Sequence, residues 1–120
     1  MSDEEKKKRL ENKYQVNLDR LQKENIDYDG IDDINIFFNE KITKLTNRVK
    51  KDGSYISAET AREYIKSVYY YHKKVLAQEQ EKKLNTTRRM KLTREVGKLL
   101  ATLSAKSYNN WVKKKVVIFF

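Results

Sequence analysis

At 120 residues the chain has room for one domain, because a chain of this size buries roughly two thirds of its unfolded surface. Hydrophobic residues make up 38% and charged residues 37%, a polar mixture that still has enough Leu, Ile, Val, Phe and Tyr to collapse. The absence of cysteine excludes disulfides and thiolate metal sites, the single His72 cannot build a histidine metal site alone, and no cofactor is expected.

The formal charge is +10, unevenly spread. Residues 1 to 33 carry seven Lys/Arg against ten Asp/Glu, a net of −3, whereas residues 34 to 120 carry twenty against seven, a net of +13. A positive charge of that size attracts polyanions and makes their binding salt-dependent, so double-stranded DNA is the leading expected partner. A protein partner or a homodimer is the alternative, and an anionic membrane surface ranks behind both. MSDEEKKKRLENK lacks an apolar signal core, and no stretch approaches the ~18 apolar residues of a membrane span. The expectation is a soluble intracellular protein of cytoplasm or nucleus.

The chain contains no proline, and its three glycines sit at 30, 53 and 97, which favours helices throughout. Residues 3 to 24 read as a charged helix with a thin stripe of Leu10, Tyr14, Leu18 and Leu21. NIDYDGIDD follows as an acidic turn, with Asp32 or Asp33 free to cap the next helix. Residues 1 to 31 are thus expected to form a charged N-terminal helix or arm. In INIFFNEKITKLTNRVKK, residues Ile34, Phe38, Ile42, Leu45 and Val49 recur at three- and four-residue spacing on one helical face. Ile36 and Phe37 fall off that stripe, so they either pack against the N-terminal arm or form a second contact surface, in which case they and Trp111 are the expected anchors of a protein interface.

KDGSYIS breaks the pattern, and Ser57 is placed to cap a long helix, SAETAREYIKSVYYYHKKVLAQEQEKK. On that helix Val68 centres a packed face with Ala61, Tyr64, Ile65, Tyr71, His72, Val75 and Glu79. Arg62, Lys66, Tyr70, Lys73 and Ala77 cluster opposite, and Tyr69 falls on the boundary. His72 reads as a hydrogen-bonded structural residue rather than a catalytic base. LNTT offers Thr86 or Thr87 as the cap of a last helix, with Leu92, Val96, Leu99 and Leu103 on one face. Residues 82 to 115 hold eleven Lys/Arg and one Glu, the densest basic stretch in the chain. Residues 111 to 120 end in VVIFF, which reads as a strand docked on the helices or as a boundary through a longer protein.

The predicted architecture is all-α: a bundle of three to four helices over residues 32 to 110, with the charged N-terminal helix or arm before it. No catalytic constellation is complete, so no enzymatic activity is expected. DYDGIDD is not a calcium loop, because the twelfth position counted from Asp27 is Phe38 rather than an acidic ligand. The expected nucleic-acid-binding residues are Lys44, Arg48, Lys50 and Lys51, then Arg62, Lys66, Tyr70 and Lys73, then Arg88, Arg89, Lys91 and Arg94. Lys and Arg would neutralise phosphates while tyrosine stacks on or hydrogen-bonds to the ligand.

SAETAREYIKSVYYYHKKV, through Ser57, Thr60, Tyr64, Val68 and Tyr71, is similar to a helix of the N-terminal core-binding domain of tyrosine recombinases and phage integrases. INIFFNEKITKL matches that family's first amphipathic helix, MKLTREVGKLLATL resembles the segment opening its catalytic domain, and KKKVVIFF resembles the apolar stretch before its first catalytic arginine. The resemblance implies short helices that clamp duplex DNA through phosphates, in a protein of a mobile element, phage or virus engaged in DNA recombination. The family's catalytic residues belong to a domain for which this chain has no room, so strand cleavage is not implied.

Overall fold

The computed structural model describes residues 2–46 and 58–103, and these form an all-α fold with no strand among them. Arg48, Val49, Lys50, Lys51, the Ser57 cap, Trp111 and the apolar C-terminal segment lie outside the described residues. The elements are α1 (Asp3–Lys23), α2 (Ile34–Phe37), a π turn (Phe38–Ile42) running directly into α3 (Thr43–Thr46), α4 (Ala58–Glu81) and α5 (Thr87–Thr102).

Short polar side chains decide where these helices begin. Ser2 accepts from the Glu5 amide at 3.2 Å, and three acidic residues in the first turn of α1 complement its dipole. Asp33, rather than Asp32, caps α2 by accepting from Asn35 and Ile36. α1 and α4 both end in Schellman motifs. Asn25 and Lys83 take left-handed φ of 58° and 56°, and the amides of Ile26 and Leu84 reach back to the carbonyls of Leu21 and Glu79. In the acidic turn, Asp27 accepts from the amides of Asp29 and Gly30, and a Cβ on Gly30 would stand 2.6 Å from Asp27 Oδ2. Only glycine closes this turn without displacing the Asp27 carboxylate.

For Phe37 the structure selects packing over an interface. It is 8% exposed and belongs to the core, whereas Ile36 is 54% exposed. The π turn supplies the reason. A π turn takes up one extra residue, which sets the phase of the following chain back by about 100°. Thr43, which a regular helix would turn outward, is thereby brought in to 3% exposure, and Leu45 falls in line with Phe37 rather than with Ile34. The stripe is therefore wider than a regular helix implies and includes Phe37.

The core gathers Leu18, Leu21, Ile34, Ile42, Ile65, Val68 and Val96, each at most 2% exposed, with Phe37, Phe38 and Leu92 around them. α4 is its axis. α5 runs back along α4 after the tight connection at residues 82–86, and α1 crosses α4 around Tyr14 to Leu18. α1 is thus no arm apart from the rest: Leu18 and Leu21 enter the same core, and Asn17 Nδ2 donates to the buried Ser67 hydroxyl at 3.0 Å. Leu21→Ala should therefore lower unfolding free energy by about 2–5 kcal/mol, the usual cost of truncating a buried leucine. Chemical denaturation checks it, and a change near zero would show that α1 does not contribute to the core.

Candidate nucleic-acid interface

Tyr69, Tyr70 and Tyr71 are consecutive on α4, so each leaves the helix about 100° from the last and meets a different neighbour. Tyr69 turns to α5, where a Cβ on Gly97 would stand 3.3 Å from its ring. Tyr70 turns to α1 and packs on Tyr14 with ring centroids 5.3 Å apart. Tyr71 turns to the acidic turn, meeting Tyr28 edge to face at 5.0 Å and donating its hydroxyl to Asp29 at 2.9 Å. All three are half-buried. Tyr71 lies at the rim of the core rather than in its centre, and Tyr70 braces α1 rather than facing solvent alone.

Behind Tyr71 lies a polar cluster around Arg89. The guanidinium donates through Nε to Glu79 at 3.0 Å, and through one terminal nitrogen to Asp29 at 3.0 Å and to His72 Nδ1 at 2.8 Å. Arginine has no accepting atom, so His72 Nδ1 must carry the lone pair and Nε2 the proton, which it donates to the Tyr28 carbonyl at 2.8 Å. Burial, together with the Arg89 charge, pushes the His72 imidazole below its ordinary value despite the Tyr28 bond and the Asp29 charge. Burial works to raise the Asp29 carboxyl, but bonds from Tyr71 and Arg89 and the Arg89 charge hold it below the usual carboxylate value. Burial and the bond to Asp29 push the Tyr71 hydroxyl up to about 12, so it remains a donor.

Arg89 is consequently not a free phosphate ligand: its side chain is 10% exposed and committed to two carboxylates. Its inward position turns the rest of α5 outward. Lys91, Arg94 and Lys98 are exposed on the side away from Leu92, Thr93 and Val96, whereas Arg88 is exposed in the first turn about 40° around the helix from Leu92. Across from them on α4, Lys73 is exposed with its ammonium 5.3 Å from the Tyr69 ring centroid, and Lys74 stands 6.0 Å from that of Tyr70. An open groove of about 540 Å³ runs between the two helices, walled by Tyr69, Leu76 and Met90, floored by Gly97 and edged by Arg94 and Lys98.

The remaining expected residues lie elsewhere. Lys44 is exposed on α3. Lys66 is half-buried and paired with Glu63 at 3.3 Å, and Lys13 of α1 approaches the same carboxylate at 3.4 Å. Arg62 is half-buried, with its Nε enclosed and without a hydrogen-bond partner. The structure thus brings together Lys73, Lys91 and Arg94 from the predicted set, leaves Arg88 exposed on the Leu92 side of α5, and adds Lys74, Lys98 and Tyr69. Lys98 stands seven residues after Lys91 and was legible from that spacing; the role of Tyr69 required knowing where α5 packs. No family model matches the chain, and no curated protein or solved structure is significantly similar to it.

Two outcomes follow from the Arg89 cluster. Arg89→Ala should lower unfolding free energy by about 2–3 kcal/mol, below the roughly 3–5 of a fully buried pair because Asp29 keeps half its exposure, while Arg88→Ala should change it by under about 0.5. Thermal melts of the two variants distinguish the neighbours. For His72 the unfolded imidazole, at its ordinary 6.5, takes up a proton before the folded one, so stability present above pH 6.5 is lost as pH falls below it. Because the sequence holds one histidine, its ring NMR signal is unambiguous: its titration midpoint should fall below 6.5, and a midpoint at or above that value would contradict the buried geometry.

Proposed function

We propose that the chain is a DNA-binding module that grips the phosphate backbone of duplex DNA with the outer face of α5 and the Lys73–Lys74 ridge of α4. The observation that carries this reading is the alignment of Lys91, Arg94 and Lys98 along one exposed side of a helix whose opposite side is core. From Lys91 to Lys98 this side is about 10 Å long at 1.5 Å per residue, matching the axial rise of roughly three nucleotides of one strand. The cations sit on a preformed helix, so little ordering opposes contact, and guanidinium groups favour phosphate geometry.

The similarity of Ser57 to Val75 to a core-binding helix of tyrosine recombinases supports the same reading, in a context of mobile-element or phage DNA. No cleavage is proposed. A protein-interaction module is the second reading, and what favours it is the 54% exposure of Ile36, since Phe37 is in the core.

Salt titration of binding to duplex DNA tests the first reading. Four to six phosphate contacts give a slope of log affinity against log salt of about −4 to −5. Replacing any one of Lys91, Arg94 or Lys98 by alanine should reduce the slope by about one with melting temperature unchanged. Micromolar or weaker binding without a salt slope would end this reading.

A further inference from the structure

Two depressions flank α4. The pocket of about 300 Å³ on its α1 side has mostly polar walls, and its tyrosine rings are spent on one another, on Tyr14 and under Lys74. The groove on the α5 side is lined largely by carbon: Leu76 of α4 faces Met90, Gly97 and Ala101 of α5, and Met90 is 51% exposed. Met90 and Ala101 stand eleven residues apart, so the groove runs for about 16 Å, three helical turns. Gly97 and Ala101 carry almost no side chain, which leaves the backbone of α5 approachable along the floor. No acid lines this groove among the described residues, and cations stand on both rims. Arg94 and Lys98 are exposed one turn apart on the α5 rim, about 6 Å along the axis. Lys73 is exposed on the α4 rim, its ammonium 5.3 Å from the Tyr69 ring centroid.

We infer that this groove takes one amphipathic helix of a partner protein, with Asp or Glu flanking its apolar stripe on both sides. A stripe three turns long fills the groove between two packed helices and covers Met90 and Leu76. Carboxylates one turn apart on the partner meet Arg94 and Lys98, and one on its other flank meets Lys73. Charge decides against a second copy of this chain. In a symmetric pair it would set its own Arg94 and Lys98 against these, its acidic segment Asp27 to Asp33 is a turn, and the exposed half of its α1 is basic from Lys6 to Arg9. A phosphate backbone or a lipid headgroup layer answers the cations but brings no apolar ridge to the floor. Because Arg94 and Lys98 also belong to the phosphate-gripping face, such a helix and DNA exclude each other; this consequence, unlike the docking, rests on the DNA-binding reading.

The test uses the full chain and three labelled synthetic peptides of about 18 residues, long enough to form a helix. One carries a leucine stripe flanked by glutamates, the second has the same residues scrambled, and the third has lysine in place of each glutamate. In anisotropy titrations the acidic striped peptide should bind saturably and about tenfold more tightly than the scrambled one, and the lysine peptide should not bind. Met90→Gln and Ala101→Gln, at exposed helix positions and without change of charge, should each remove that preference at unchanged melting temperature. Lys98→Ala should weaken the acidic striped peptide about threefold, as expected of a rim pair. Equal affinity for the striped and scrambled acidic peptides, or a preference that survives both glutamine changes, overturns the inference. So does absence of binding, whether the groove stays open or is taken by the chain's own apolar residues 116–120. None of these results touches the phosphate reading, which the salt titration decides, and failure of DNA binding leaves the docking to the peptide comparison alone. Where duplex DNA does bind, the striped peptide should release it at concentrations at which the scrambled one does not, and joint occupancy would overturn the exclusion.

Discussion

The Arg89 guanidinium is the constraint on which the rest of the structure depends. From α5 it reaches the acidic turn through Asp29, the end of α4 through Glu79 and the middle of α4 through His72. A charge taken so far from water is tolerable only where its hydrogen bonds are answered, and one arrangement of these elements answers them. The rotational phase of α5 follows. With Arg89 pointing inward beside Leu92 and Val96, Lys91, Arg94 and Lys98 have nowhere to go but outward. Arg89 thus fixes, together with Leu92 and Val96, which side of α5 is basic.

Its effect extends through His72. Since arginine can only donate, the imidazole is fixed in the tautomer whose other nitrogen holds the Tyr28 carbonyl. The backbone of the acidic turn is thereby docked from two sides, by His72 at Tyr28 and by Tyr71 and Arg89 at Asp29. The carboxylates of the turn are engaged within the fold: Asp27 on its own turn, Asp29 on the cluster. Helix α4 then acts as a hub whose consecutive tyrosines brace α5, α1 and the turn, with a groove on one side of its exposed ridge and a pocket on the other.

Much of this was legible in the residues. The helices, the face of α4 centred on Val68 with the hydrogen-bonded His72 on it, and the stripe of Leu92 and Val96 follow from period and capping, and the structure places them accordingly. What escaped was of two kinds. Phe37 escaped because a π turn resets helical phase, and nothing in a string of residues marks where an extra one will be taken up. Arg89 and the tyrosines escaped because a long polar side chain is bimodal, with a stem that packs and a head that seeks partners. Whether it faces water depends on acids far away in sequence, here Asp29 at sixty residues' separation.

The amino-acid sequence by itself determined the all-α class, the concentration of positive charge after residue 33, and the core faces of α4 and α5, because these depend on local propensity, composition and periodicity. Only the tertiary structure decided that α1 belongs to the core, that Arg88 faces solvent while Arg89 does not, and that three adjacent tyrosines serve three different neighbours. Those outcomes depend on which elements meet across α4, and a side chain's role at such a junction is set by its partners rather than by its own chemistry.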